Sequence, residues 1–155
     1  MRSLRLTLAL VACLGCDDDS APEPATLELG TGSWRFDPLT DGQQVELVRG
    51  AQGGWHIWLS LKTQGVALGD EPVLVDIRMQ PADESLPAQA TAITLLFDAK
   101  DDDRYELVGY TGIVSEPACW VEKLVRIQVS LPAHDLEDER DVMVSGGAYP
   151  PPPCP

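Results

Sequence analysis

WHIWLSLKT, residues 55–63, sets Trp55, Ile57, Leu59 and Leu61 at every second position, with His56, Trp58, Ser60 and Lys62 between them. A period of two belongs to a β-strand, whose successive side chains point to opposite faces. The same beat runs through PVLVDIRMQ (72–80), which puts Val73, Val75, Ile77 and Met79 on one face. Upstream, TLEL (26–29) and QQVELV (43–48) read as strands. Downstream, AITLLFD (92–98) and RYELVGYTGIV (104–114) flank the turn AKDDD, and KLVRIQVSL (123–131) and RDVMVSG (140–146) flank PAHDLEDE. Val, Ile, Leu and Thr suit a pleated surface, while prolines at 72, 81, 87, 117 and 132 interrupt any helix. ADESLPAQATA (82–92) is the one helical candidate; Pro87 breaks it, and it reads as a connection. Strands parted by turn signals every ten or so residues predict an all-β sandwich or barrel.

Composition limits what such a domain does. A chain of 155 residues with 44% apolar content has room for one domain with one core. Eleven Lys and Arg against 25 Asp and Glu give a formal net charge of −14. That balance repels phosphate backbones, so nucleic acid is not an expected partner. It also argues against a polybasic membrane patch, though not against a lipid anchor.

MRSLRLTLALVACLGC opens the chain with Arg2 and Arg5, followed by a run from Leu6 to Leu14 that is apolar apart from Thr7. This is the architecture of an export signal. The run is far shorter than the roughly 20 residues that span a bilayer as a helix, and no other stretch approaches that length. DDDSAPEPA (17–25) is too acidic and proline-rich to order itself and reads as a tether. The expected layout is a signal over 1–15, a tether over 16–25, a sandwich over 26–146, and a proline-rich tail over 147–155 in polyproline II.

The leader resembles bacterial lipoprotein signals, in which a small residue precedes a Cys that is lipidated before cleavage. Leu10-Val11-Ala12-Cys13 matches the usual box more closely; Cys13-Leu14-Gly15-Cys16 has Gly before Cys but Cys where an aliphatic is usual. Cleavage before Cys13 leaves an apolar run of only about seven residues, at the lower edge of a workable signal. Lipidation of Cys16 leaves Cys119 and Cys154 as a single disulfide pair, whereas lipidation of Cys13 leaves an odd thiol. Cys16 is therefore preferred, with Cys13 as the alternative and an ordinary secretory signal as the plainer one.

LVRIQVSLPAHDLEDERDVMVS (124–145) resembles the closing F–G hairpin of immunoglobulin-like domains, including those of bacterial surface modules. The resemblance covers residues 26–146 as a strand pattern and implies an immunoglobulin-like antiparallel sandwich of about 7–9 strands, non-catalytic by habit. Cys119 and Trp120 are present without the Cys…Trp…Cys spacing of antibody domains. GAQGGWHIWLSL (50–61) is similar to stretches of uncharacterised bacterial lipoproteins.

Several constellations are candidates for chemistry. Gly53-Gly54 permits a turn with positive φ, and His56 with Trp58 on the presumed outer face offers an aromatic patch for a protein or glycan. The plainer reading packs Trp55 and Trp58 under a loop. His56, Cys119, His134 and Met143 match a blue-copper ligand set in type, but the Cys, second His and Met are not in one short loop, and geometry selects the metal. Asp98, Asp101, Asp102 and Asp103, and likewise Asp135, Glu137, Asp138 and Asp141, offer calcium oxygen ligands in turns without the spacing of an EF-hand. No nucleophile elbow, zinc-protease motif, phosphate loop or dinucleotide fingerprint is present.

The expectation is thus an exported, lipid-anchored, non-catalytic envelope module without cofactor. It meets the membrane through its lipid and takes an unknown protein or glycan ligand. A calcium- or copper-binding periplasmic module is the alternative.

Overall fold

The computed structural model describes residues 24–101 and 103–154. The leader, both anchor candidates Cys13 and Cys16, and Asp102 lie outside the described residues. The strands are β1 (Thr26–Thr31), β2 (Asp37–Pro38), β3 (Gln44–Glu46), β4 (Val48–Arg49), β5 (Trp55–Gln64), β6 (Val73–Pro81), β7 (Gln89–Leu95), β8 (Asp98–Ala99), β9 (Tyr105–Val114), β10 (Leu124–Leu131) and β11 (Leu136–Ser145). Among the described residues, only short 3-10 turns at Pro117–Cys119 and Pro132–His134 are helical, and no helix is long and apolar enough to cross a membrane.

The strands form two sheets, ordered β2-β1-β5-β9-β8 with β4 also beside β5, and β3-β11-β10-β6-β7. All pairs are antiparallel except β3 with β11, which is parallel. The alternation predicted for 55–63 and 72–80 sets the inner faces. Leu29, Ile57 and Leu59 from one sheet meet Val75, Ile77 and Ile127 from the other in a single core, a β-sandwich-like arrangement. Each such aliphatic contributes about 1.5–3 kcal/mol of burial.

Strand extents differ from the sequence reading where the chain changes sheets. QQVELV is not one strand. β3 pairs in the second sheet and β4 in the first, with the buried Leu47 as pivot and its N–H donating to the Ser145 carbonyl at 2.8 Å. Alternation survives this crossing, since Val45 and Leu47 both point inward, so periodicity does not reveal it. Likewise β7 begins at Gln89, inside the stretch expected as a connection, and stops at Leu95. Phe97 is then buried as the chain crosses to β8, and only β8 pairs with β9 around the AKDDD turn. The acidic turn of PAHDLEDE is also shorter than expected. The reversal takes Pro132–His134 and Asp135, which adopts φ 54°, and Leu136 already pairs with Leu131.

The outer face of the first sheet is covered by its own chain. Gly30, Ser60 and Gly109 lie on neighbouring strands and present almost no side chain there. The 32–37 segment folds back over them, placing the Phe36 ring over Gly30 and the Ser33 backbone against Gly109. Ser60 Oγ donates to the Gly32 carbonyl at 3.0 Å and accepts from the Gly109 N–H at 3.2 Å. Lys62 Nζ lies 4.6 Å from the centre of the Phe36 ring. This cover explains why β5 is buried on both faces.

Candidate functional site

The β4–β5 hairpin pairs Val48 with His56 and Arg49 with Trp55. Its loop is closed by the Gly50 N–H donating to the Gly54 carbonyl at 2.8 Å and the Gly53 N–H to the Gly50 carbonyl at 2.9 Å. Gly53 sits at φ 90°, the positive-φ turn residue that the sequence suggested. Direct cross-strand pairing puts the Arg49 and Trp55 side chains on one face. After β11 the tail reaches this end of the molecule, with Pro151 buried and Cys154 bonded to Cys119. The 35-residue link fixes where the tail runs. Loop and tail border an open hollow of about 470 Å³ lined by Arg49, Gly53, Trp55, Tyr149, Pro150 and Pro152. A shallower hollow beside it shares Arg49, Gly53 and Tyr149.

The cleft combines a cation with aromatic surface. Among the described residues Arg49 has no carboxylate within ion-pair distance, although the chain holds 25 acids. A guanidinium combines a planar donor fork for carboxylate or phosphate with a face that stacks on aromatic rings. Trp55 and Tyr149 supply flat apolar surface with a polar edge. The cleft therefore has the parts to hold a ligand with an anionic group and an apolar face.

A larger trough of about 860 Å³ runs over the outer face of the second sheet, lined by residues such as Asp76, Arg78, Ala90, Gln128, Ser130 and Glu137. It has no aromatic lining, and part of the polar surface in and beside it is already engaged along the sheet. Arg126 reaches Glu139 and Asp141 at 3.1 Å each, and Gln128 donates to Glu139 at 2.6 Å. It is the solvated face of a sheet.

The sequence candidates fall in several places. His56 and Trp58 do lie on the outer face, ring against ring at 4.5 Å and nearly perpendicular. His56, however, is only 6% exposed, and its Nε2 is buried without a hydrogen-bond partner among the described residues. Trp58 is half-buried. They are packed side chains rather than an open patch, with Gly50 of the preceding loop beside the His56 ring. Burial pushes the His56 imidazole below its ordinary pKa.

Cys119 is held by Cys154, so its sulfur is not offered to copper. His134 sits at the turn before β11 and Met143 near the strand's far end, and His56 lies on the other sheet. Extended chain at about 3.3 Å per residue separates the turn from Met143 by roughly 20 Å. The second acidic run is mostly strand: Glu137, Glu139 and Asp141 alternate with Asp138 and Arg140, so its carboxylates face opposite sides. Among the described residues no group of three or more His, Cys, Asp or Glu side chains is arranged to hold a metal.

Three residues of functional interest were not legible in the sequence: Arg49, Tyr149 and Trp34. The last is 94% exposed at the tip of the 32–37 segment, with Arg35 and Asp37 paired at 2.9 Å beside it. An aromatic outside any periodic run was the available signal for Trp34 and Tyr149. Arg49 carried none, since its isolation from carboxylates is a fact of three dimensions. Comparison with known proteins finds no matching family model, no matching curated protein and no matching solved structure.

Proposed function

We propose that the chain is an exported, lipid-anchored, non-catalytic module of the cell envelope, with the Arg49–Trp55–Tyr149 cleft as its binding site. The observation that carries the reading is the Cys119–Cys154 bond. Structural disulfides persist in oxidising compartments, which is where a leader of the form MRSLRLTLALVACLGC would deliver the domain. The acidic tether then holds the sandwich off the membrane from a lipid on Cys16.

The finer fold reading is immunoglobulin-like, and strand order supports it. With β1, β5, β9 and β8 as strands A, B, E and D, and β6, β10 and β11 as C, F and G, the two sheets follow the immunoglobulin arrangement. β7 then occupies the place of C′ beside C, as in variable-type domains. The disulfide departs from antibody domains, since it ties the E–F connection to the tail rather than strand B to strand F.

Intact mass of the membrane-extracted protein tests the address. The expected chain begins at lipid-modified Cys16 and lacks the two thiol hydrogens of Cys119 and Cys154. A chain beginning at Cys13 moves the anchor to that residue. An unlipidated mass, or free thiols at 119 and 154, overturns the reading.

A further inference from the structure

We propose that the free edge of β7 is a self-association surface, on which a second copy of this chain adds its own β7 antiparallel to continue the sheet. β7 ends the path β3-β11-β10-β6-β7, and its pairing with β6 runs unbroken from Val73–Leu95 to Met79–Gln89. Outward-pointing N–H and C=O groups on such a strand are a template for another strand. Among the described residues no group from outside the sheet bonds the backbone of 89–95, although the Gln89 side chain accepts from the Ser115 N–H at 3.0 Å and donates to the Ser115 carbonyl at 3.2 Å. Ala90, Thr91, Ala92 and Thr94 are exposed.

Proteins blunt exposed strand edges by shortness, charge, proline or bulges, and the strands at the other ends of these two sheets show such devices. β2 is the dipeptide Asp37–Pro38, β8 the dipeptide Asp98–Ala99, and β3 three residues ending in Glu46. β9 extends past β8, but its register shifts beside Gly109, and Ile113 is its one exposed residue. β7 has no bulge, and Ala88 through Phe97 contains no charge and no proline.

Charge permits a second copy at this edge. Two copies of a chain with a net charge of −14 repel wherever carboxylates meet, and β7 brings none. The strand inside it sets Asp76 near Arg78, which has no ion pair among the described residues, so the edge is close to neutral. Ala92 is the middle of the seven residues from Gln89 to Leu95. Centring a two-fold axis there pairs Ala92 with itself, Ala90 with Thr94 and Thr91 with Ile93, and all seven residues find partners. The same register lays the exposed Leu96 over Ala88 of the second copy. A closed two-fold pair uses up both edges, which an open stack would not.

The test is cysteine cross-linking in the full chain, purified in detergent. Directly opposed residues of an antiparallel pair have Cα atoms about 4.5–5.5 Å apart, within disulfide range. Ala92→Cys is expected to give a covalent dimer on oxidation. Ala90→Cys and Thr94→Cys are expected to give none singly but a dimer when mixed. An Ala92→Cys chain that stays monomeric overturns the proposal, as do three variants cross-linking alike or a ladder of higher species. In sedimentation, Ala92→Lys should shift the wild-type dimer to monomer with an unchanged circular dichroism spectrum. Raising the salt should favour the wild-type dimer by screening repulsion. A monomeric wild type at every salt concentration also overturns it.

Discussion

The Leu29 N–H donates to Asp138 Oδ2 at 2.7 Å across 109 positions of sequence, joining β1 of one sheet to β11 of the other. Asp138 also accepts from Arg140 Nη1, and Arg140 Nε donates in turn to the Leu39 carbonyl at 3.1 Å. The inward carboxylate therefore closes the side of the sandwich where sheet pairing cannot. Asp138→Ala orphans the Leu29 N–H and leaves Arg140 without its anion. The expected loss is about 2–3 kcal/mol in urea unfolding, the range for a charge-assisted hydrogen bond with a partner left unmade. Asp138→Asn, which keeps an acceptor for Leu29, should lose less. Equal stability of the alanine variant and wild type would show that the clasp is idle.

The disulfide acts on the unfolded chain as well as on the tail. Closing a loop of 35 residues contributes roughly 3–4 kcal/mol in the chain-entropy model. Cys154→Ser should therefore lower the unfolding midpoint and leave one titratable thiol at Cys119. It should also expose Pro151 and the tail to proteolysis while β5 and β10 stay protected. Wild type that titrates two thiols before reduction would contradict the bond.

What the sequence made legible was the interior. The inward rows on β5, β6 and β10 follow from period two alone, because burial on one face leaves its mark at every second residue. Crossings between sheets leave no such mark: Leu47 and Phe97 keep the chain apolar and buried while its hydrogen-bond partners change sheet. The acidic run 137–141 looked like a turn because Asp and Glu are uncommon in strands. On β11 its outward members face solvent, and its inward member, Asp138, finds a backbone partner. The Arg49–Trp55–Tyr149 cleft joins positions up to a hundred residues apart, and only the disulfide hinted that the tail returns.

His56 gives the sandwich a specific response to acid. Its folded pKa is depressed by burial, so between that value and the unfolded value near 6.5 the unfolded chain binds more protons. Stability from this group is fully present above the unfolded pKa and falls as the pH drops below it. The melting temperature of wild type should drop between pH 7.5 and 5 relative to His56→Gln, whose side chain does not titrate. The many carboxylates change both proteins alike, so the difference isolates the imidazole. Parallel curves would sink this assignment.

Gly109 tests whether the 32–37 segment is seated or merely adjacent. Its φ of 76° is left-handed, and a Cβ there would lie 2.8 Å from the Ser33 carbonyl oxygen, a backbone atom with little room to move. Gly53, at φ 90°, carries the same conformational penalty with nothing within 4 Å of its Cβ position. Gly53→Ala should therefore cost about 1 kcal/mol, the strain alone. Gly109→Ala should cost clearly more, because the segment must lift and the Ser60 hydroxyl then loses Gly32. The indole signal of Trp34, at the segment's tip, should move in the second variant and not in the first. Equal losses with an unmoved Trp34 would mean that β5 owes its buried outer face to something other than this close approach.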